Sequence, residues 1–225
     1  MLIGGMQKMT LLDFPGRIAC IVFTHGCNFR CPYCHNAPLV TDAPDALSEE
    51  EVFAYLKKRQ GILEGVVVSG GEPTLQKDLV PFLEKVKALG YAVKLDTNGT
   101  NPAALREIVE RGLCDYVAMD IKNSREKYSA TAACSVDVSA VEQSVAFLLS
   151  GRVEYEFRTT VTRELHSVGD MRSIGEWIRG AERYFLQTFT DSGCLVGEGM
   201  SALSAEETAE LADTVRPYVG SVSVR

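Results

Sequence analysis

The sequence predicts an α/β fold, a single domain of about six strand-helix units with mostly parallel strands. Three observations carry this reading. Short β-branched runs begin near residues 18, 65, 91, 115, 153 and 183. Between them lie segments with helical spacing of apolar residues and recognisable caps, and parallel strands joined by right-handed helical crossovers are what segments of that order and length require. The length of 225 residues suits one domain, since domains mostly run to about 100–200 residues.

The first strand is Ile18-Ala19-Cys20-Ile21-Val22-Phe23, a run too short and too β-branched for a helix. Ser48 and Glu51 stand at capping-box spacing ahead of Val52, Phe53 and Leu56, a helix reaching about Arg59. Gly65 to Ser69 is strand two, followed by Leu79, Phe82, Leu83 and Val86 on one helical face with Gly90 behind them. Tyr91 to Leu95 is strand three. Asn101-Pro102 reads as an N-cap with proline in the first turn, before Leu105, Ile108 and Val109 and a stop at Gly112. Tyr116 to Met119 is strand four. Ser139 and Glu142 predict another capping box, with Val145, Phe147, Leu148 and Leu149 behind it and Gly151 at the end. Val153 to Val161 is strand five. Asp170 is expected to cap a helix carrying Ile174, Trp177 and Ile178 as far as Gly180, and Tyr184-Phe185-Leu186 opens strand six. Ser204 and Glu207 cap a last helix stopped by Pro217, and Val222 to Val224 is a candidate edge strand. The core spans approximately 17–190, with the last helix and edge strand over 203–225.

An open doubly wound sheet and a partial barrel both accommodate this order. In either, the loops at the C-terminal ends of the parallel strands form the active face. Cys27 to Asn36, Gly70 to Thr74, Asp96 to Asn98, Asp120 to Lys122, Arg158 and Gln187 all fall at or near those ends.

Composition narrows the partners. With 23 Lys+Arg against 30 Asp+Glu the net charge is -7, and no dense basic run offsets it, so nucleic acid is not an expected partner. No apolar stretch approaches the roughly 20 residues a membrane span needs, and Met1 to Thr10 does not read as a secretory signal. A cytoplasmic location is expected. Seven cysteines are too sparse for a disulfide framework.

Three of those cysteines cluster as Cys27-x3-Cys31-x2-Cys34. Soft thiolates suit iron-sulfur clusters, zinc or copper(I), so the ligand type alone does not choose. A structural zinc site would need a fourth ligand, with His25 or His35 nearest. A [4Fe-4S] cluster takes one ligand per iron, and three thiolates would leave one iron open for chemistry. Gly70-Gly71-Glu72-Pro73 reads either as a tight turn or as backbone approaching a ligand, with Glu72 accepting from an ammonium. Asp96 and Asp120 are candidates to bind ribose hydroxyls or a monovalent cation, and Lys122 to neutralise a ligand carboxylate. Arg158 lies inside an apolar strand, where its charge requires a carboxylate from a ligand or from within the protein; Gln187 is a weaker case of the same kind. His166 reads as a solvated loop residue, while His25 and His35 are candidate donors to a cluster sulfur.

With Tyr33 before the last cysteine, the cluster resembles the CxxxCx(aromatic)C signature of radical S-adenosylmethionine enzymes. The resemblance implies that Cys27, Cys31 and Cys34 hold a [4Fe-4S] cluster and that S-adenosylmethionine chelates the open iron through its amino and carboxylate groups. It places Tyr33 near the adenine, Gly70, Gly71 and Glu72 around the methionyl amino group, and Asn36, Asp96, Asp120 and Lys122 near the cosubstrate. Asn98, Arg158 and Gln187 complete the expected binding set, and the three cysteines with Lys122 are the residues expected to carry catalysis.

From Gly4 to about Phe189 the chain is similar to the anaerobic ribonucleoside-triphosphate reductase activating protein family, notably in Gln7-Lys8, Leu12-Asp13-Phe14-Pro15-Gly16, Cys34-His35-Asn36-Ala37-Pro38 and Glu156-Phe157-Arg158-Thr159-Thr160. That similarity implies an incomplete (β/α)6 barrel, a large glycyl-radical enzyme as protein substrate, and a flavodoxin- or ferredoxin-like electron donor. The chain lacks the second cysteine-rich cluster of some relatives, and Asp13-Phe14-Pro15-Gly16 departs from the Asp-Gly-Pro-Gly segment of pyruvate formate-lyase activating enzymes. Two other classes remain: a radical enzyme for a small molecule, like the 7-carboxy-7-deazaguanine synthases, and a non-catalytic electron-transfer or zinc module. The segment Gly5 to Gly16 is expected to cover the barrel mouth or touch the partner, or else to give Leu11, Leu12 and Phe14 to the core.

Overall fold

The computed structural model describes residues 1–40 and 46–225. Eight strands form one sheet in chain order: β1 Ile3–Thr10, β2 Ala19–Thr24, β3 Gly65–Gly70, β4 Ala92–Thr97, β5 Tyr116–Asp120, β6 Glu154–Val161, β7 Arg183–Thr188 and β8 Ser221–Val224. From β2 to β8 every neighbouring pair is parallel, and β1 runs antiparallel to β2. The helices are α1 Ala37–Val40, α2 Glu49–Lys58, α3 Leu79–Ala88, α4 Pro102–Glu110, α5 Tyr128–Ala132, α6 Val138–Leu149, α7 Val168–Trp177 and α8 Ala205–Val215. Six parallel strands with helical crossovers, β2 to β7, form a partial (β/α)6 barrel flanked by β1 and β8. No helix among the described residues is long and apolar enough to cross a membrane.

Residues two apart on a strand share a face, and the two faces of this sheet differ in chemistry. Cys20, Val22, Val66, Val68, Val93, Leu95, Val117, Met119 and Phe157 join Leu56, Phe82, Leu83, Leu105, Ile108, Leu148 and Ile174 of the helices in the main core. Each such side chain contributes roughly 1.5–3 kcal/mol on full burial, so this layer supplies most of the driving force. A second, smaller core of Phe14, Ala19, Ile21, Val67 and Tyr116 sits apart from it. Further along the same alternation the side chains become Lys94, Asp96, Asp120 and Arg158. The inner face is thus apolar at the N-terminal ends of β2 and β3 and charged toward the C-terminal ends of β4, β5 and β6, with buried Glu156 held deeper by Tyr116 and Arg225.

Local chemistry explains the helix ends. Ser48 with Glu51 and Ser204 with Glu207 form the expected capping boxes, and Asn101 caps α4 with Pro102 in its first turn. Two caps differ from expectation. The box on α7 is led by Ser167, with Asp170 as its third-residue partner. For α6 the cap is Asp137, whose carboxylate accepts the Ser139 N–H, so Ser139 lies inside the helix. Asp, Ser and Thr all cap well, and spacing alone does not choose among neighbours.

The strand β1 is the element the sequence pattern does not announce. Only Ile3 and Thr10 of its eight residues are buried, two glycines interrupt it, and its pairing with β2 is irregular at two places. A strand without a buried face has no period of two to read. Leu11 and Leu12, expected as core candidates, are 65% and 87% exposed, whereas Phe14 is buried.

Candidate active site

The cysteine loop leaves β2 and is bound to its neighbours through the backbone. Gly71 N–H donates to Thr24 O at 2.9 Å and Glu72 N–H to Gly26 O at 2.8 Å. A Cβ on Gly70, whose φ is +116°, would meet the Thr24 backbone at 2.3 Å, and one on Gly71 would meet Gly26 O at 2.1 Å. These glycines let the loop after β3 lie directly against the residues preceding Cys27. Asn36 Nδ2 donates to Gly70 O at 3.3 Å, and Asn98 Nδ2 to Asn28 Oδ1 at 2.8 Å. From the other side, Val196 N–H donates to Cys34 O and Gly197 N–H to Pro32 O. The loop is therefore tied to the segments after β3, β4 and β7.

All the residues of the expected binding and catalytic set line one cavity of ≈ 270 Å³, which His35 also lines and His25 does not. Cys27, Cys31, Cys34, Tyr33 and Asn36 come from the cysteine loop, Gly70, Gly71 and Glu72 from the end of β3, and Asp96 and Asn98 from β4. Asp120 and Lys122 come from β5, Arg158 from β6 and Gln187 from β7. Asp13, Ser69, Thr97 and Thr160 also line it, outside the expected binding set. Ser69, Thr97 and Thr160 flank assigned residues at strand ends, and Asp13 belongs to the Leu12–Gly16 segment, so position was the available signal for each.

Glu72 uses its carboxylate internally. Its Oε1 accepts from Thr74 N, Thr74 Oγ1 and Thr97 Oγ1, and its Oε2 from Asn98 N at 2.6 Å. Burial pushes its pKa up and these donors oppose the shift. The contacts give it the task of joining the turn after β3 to the end of β4.

The charged wall alternates in sign. Lys94 Nζ lies 2.5 Å from Asp96 Oδ1, and Asp96 Oδ2 accepts from Ser69 Oγ at 3.0 Å and from Arg158 Nη1 at 3.4 Å. Arg158 Nε donates to Asp120 Oδ1 at 2.8 Å, and Lys122 Nζ to Asp120 Oδ2 at 3.0 Å. Asp120 and Arg158 are direct register partners on β5 and β6, which is why the pair can form. Burial works against ionising Asp120, yet Arg158 and Lys122 override it and hold the carboxyl at about 2. Asp96 is lowered in the same way, by Arg158 and then Lys94 against burial. Burial also disfavours the Lys122 charge, and Asp120 outweighs it, so the ammonium persists far above neutrality. The Arg158 charge therefore finds its carboxylates within the protein. Lys94, 2% exposed, is not legible in the sequence, because a lysine between apolar neighbours resembles an ordinary strand surface position.

His166 corrects an expectation outright. It is 5% exposed, and its Nδ1 accepts the Thr162 N–H at 3.1 Å. The other nitrogen must then carry the proton, and Nε2 lies 2.9 Å from Lys122 O. Burial lowers its pKa, so a neutral ring ties the Lys122 backbone to β6 and packs edge-on to Tyr33.

The thiols fit a thiolate-held cluster by donor type and placement. All seven cysteines are free. Burial pushes Cys27 up to about 11, against a hydrogen bond from Phe29 N–H, and raises Cys31 as well. Metal binding would therefore release protons. The buried Tyr33 hydroxyl has no hydrogen-bond partner of ordinary geometry among the described residues, and it lies beside the Cys31 thiol. No three His, Cys, Asp or Glu side chains among the described residues converge as one metal ion requires. A cluster with one thiolate per iron instead needs its ligands ranged around a concavity, as these three are.

Comparison with known proteins agrees with this architecture. A Methanocaldococcus jannaschii protein provisionally named a glycyl-radical enzyme activating enzyme is 29% identical over 231 residues, covering 100% of this chain and 95% of its own. The 7-carboxy-7-deazaguanine synthase of Koribacter versatilis is 33% identical over 151 residues, 65% of this chain and 63% of that protein. A domain of pyruvate-formate lyase-activating enzyme from Bacteroides vulgatus superposes with a TM-score of 0.59 at 18% identity, over 72% of this chain and 98% of that one, a likeness of fold. Residues 21–167, from β2 through the cysteine loop to the start of α7, match the family described as the Radical SAM superfamily, and the chain belongs to that superfamily.

Proposed function

We propose that this protein is an iron-sulfur oxidoreductase that activates a glycyl-radical enzyme, with an anaerobic ribonucleoside-triphosphate reductase as the partner. The observation that carries the reading is a single cavity with three thiols on one wall and the Asp96–Arg158–Asp120–Lys122 array on another. Support for an activase comes from the M. jannaschii relative, which aligns over the whole chain. Support for the reductase comes from the resemblance carried by Leu12 to Gly16 and Glu156 to Thr160.

When bound, a reduced [4Fe-4S] cluster would pass one electron, from a flavodoxin- or ferredoxin-like donor, to the S-adenosylmethionine sulfonium, giving methionine and a 5'-deoxyadenosyl radical that takes a hydrogen atom from a partner glycine Cα. This chain's contribution is binding and orientation. Cys27, Cys31 and Cys34 would hold the cluster. The ammonium of Lys122 is charged, fixed by Asp120, and able to meet the ligand carboxylate. Asp96 and Asp120 are held ionised and immobile by shared cations, so polar groups of the ligand would meet acceptors that need no reorganisation. Val196 and Gly197 would brace the loop through the backbone carbonyls of Cys34 and Pro32.

A second reading, a radical enzyme for a small molecule, is favoured by the K. versatilis relative. Anaerobic reconstitution with iron, sulfide, reductant and S-adenosylmethionine should release 5'-deoxyadenosine, and added reductase should acquire a glycine-centred radical signal. A loaded, reduced protein that yields no 5'-deoxyadenosine would overturn the mechanism. Cleavage stimulated by a small substrate, with no radical on any glycyl-radical enzyme, would replace the first reading with the second.

A further inference from the structure

Lys94 is a buried cation that the proposed binding scheme leaves without a task. It sits on the inner face of β4, two residues before Asp96, with its register partners Val67 and Tyr116 on either side. It is 2% exposed and is not among the residues that line the cavity. Its ammonium meets Asp96 Oδ1 at 2.5 Å. Every carboxylate oxygen in the array already has a donor: Lys94 on Asp96 Oδ1, Ser69 and Arg158 on Asp96 Oδ2, Arg158 on Asp120 Oδ1 and Lys122 on Asp120 Oδ2. Lys94, Arg158 and Lys122 face Asp96 and Asp120, and the third buried carboxylate near Arg158, Glu156, has its oxygens taken up by Tyr116 and Arg225. An added cation would have to displace a donor and approach three like charges.

We infer that Lys94 is a positioning residue that acts as a built-in monovalent cation, fixing Asp96 and, through Arg158, Asp120 for the cosubstrate. The carboxylate pair that the sequence offers to a potassium or sodium ion is neutralised from inside the barrel. An ammonium held by a strand cannot dissociate, so the protein is indifferent to which monovalent cation the solution contains. The part of the inference that concerns the cosubstrate rests on the proposed function; the part that concerns Asp96 does not.

The test separates the two. Thermal unfolding of the full chain without cluster is followed in potassium, ammonium and tetramethylammonium chloride at one ionic strength. The wild type should melt at the same temperature in all three. Lys94→Ala leaves a space beside a charged Asp96; it should melt lower, and potassium or ammonium should restore part of the loss while tetramethylammonium does not. Lys94→Met fills the space without charge and should show the loss without the restoration. If Lys94→Ala does not fold, Lys94→Gln takes its place in the same series. On reconstituted protein, S-adenosylmethionine binding by equilibrium dialysis should be salt-independent for the wild type and about tenfold weaker for Lys94→Ala in tetramethylammonium, recovering in potassium. A wild type that melts or binds differently in potassium, or a variant whose loss is equal in all salts, overturns the inference. Restoration of melting in a protein that never binds S-adenosylmethionine would keep the inner cation and reject the proposed function.

Discussion

Arg158 joins two carboxylates that would otherwise repel each other across the cavity. Asp120 is held at about 2 against an ordinary 3.8, so the stability it lends is complete above pH ~4 and is lost as pH falls toward 2. A shift of this size is worth roughly 2 kcal/mol. Arg158→Gln removes the shared cation and leaves both aspartates facing one lysine each; unfolding in urea at pH 7 should show a loss of roughly 3 kcal/mol. The gap between variant and wild type should narrow as pH falls from ~4 toward ~1.5, because the wild-type carboxyl held at about 2 is largely protonated only there. An unchanged gap would mean that Arg158 acts through packing alone. Cys31→Ala makes a separate claim. The thiol is buried but small, so the cluster-free variant should lose only about 1 kcal/mol, while iron and sulfide content after reconstitution should collapse, because an inner ligand is gone. Full loading would remove Cys31 from the ligand set. These residues were legible because thiolates and strand-end carboxylates are chemically conspicuous. His166 was not, since its partners are the backbone groups of Thr162 and Lys122, which no side-chain pattern encodes.

At the scale of elements, the glycine pair after β3 illustrates how local space decides a motif. The sequence offers Gly70-Gly71 as a turn or as backbone approaching a ligand, and a Cβ on either would meet Thr24 or Gly26, just ahead of Cys27. Gly71→Ala would place a methyl 2.1 Å from a backbone oxygen, where no flexible side chain can yield. It should lower stability by ~1–3 kcal/mol and reduce cluster loading beyond what the melting temperature accounts for. Gly180→Ala is the control: its φ is +89° but nothing lies within 4 Å of the added carbon, so it should cost about 1 kcal/mol and load normally. Equal loading by both variants would remove the special role of Gly71. The six parallel strands start within a residue of expectation because burial gives β2 and β3 continuous apolar runs and gives β6 and β7 an apolar alternation. The same rule explains the silence of β1, which has almost no buried face, and the caps at Asp137 and Ser167 lie two or three residues from the expected ones because several capping residues stand close together there.

For the whole molecule, the polarity of the barrel interior is the organising feature, and it depends on how the N-terminal segment closes one end. Phe14 enters the barrel beside Ala19, Ile21, Val67 and Tyr116, so the charged array stands over an apolar patch, at whose edge Tyr116 and Arg225 hold the buried Glu156. The sequence holds this information only as a resemblance in Leu12 to Gly16, because the runs of β2 and β3 are apolar on both faces and because the curvature that makes one face an interior is a property of the assembled sheet. Gly65 is the complement of Phe14: a Cβ there would stand 2.7 Å from the ring. Gly65→Ala alone should therefore displace the ring and cost ~1–3 kcal/mol, and Phe14→Ala alone should cost ~3 kcal/mol or more through the space it leaves. In the double variant the new methyl occupies part of that space, so the combined loss in urea unfolding should fall short of the sum by about 1 kcal/mol or more. If the two losses simply add, the ring and the glycine are not partners and the patch is held by other contacts. If they couple, the doubly substituted protein should still bind the cluster, since its thiols hang from the opposite ends of the strands, and a melting temperature restored relative to the sum with iron content unchanged would show the patch and the site to be separate layers of one barrel.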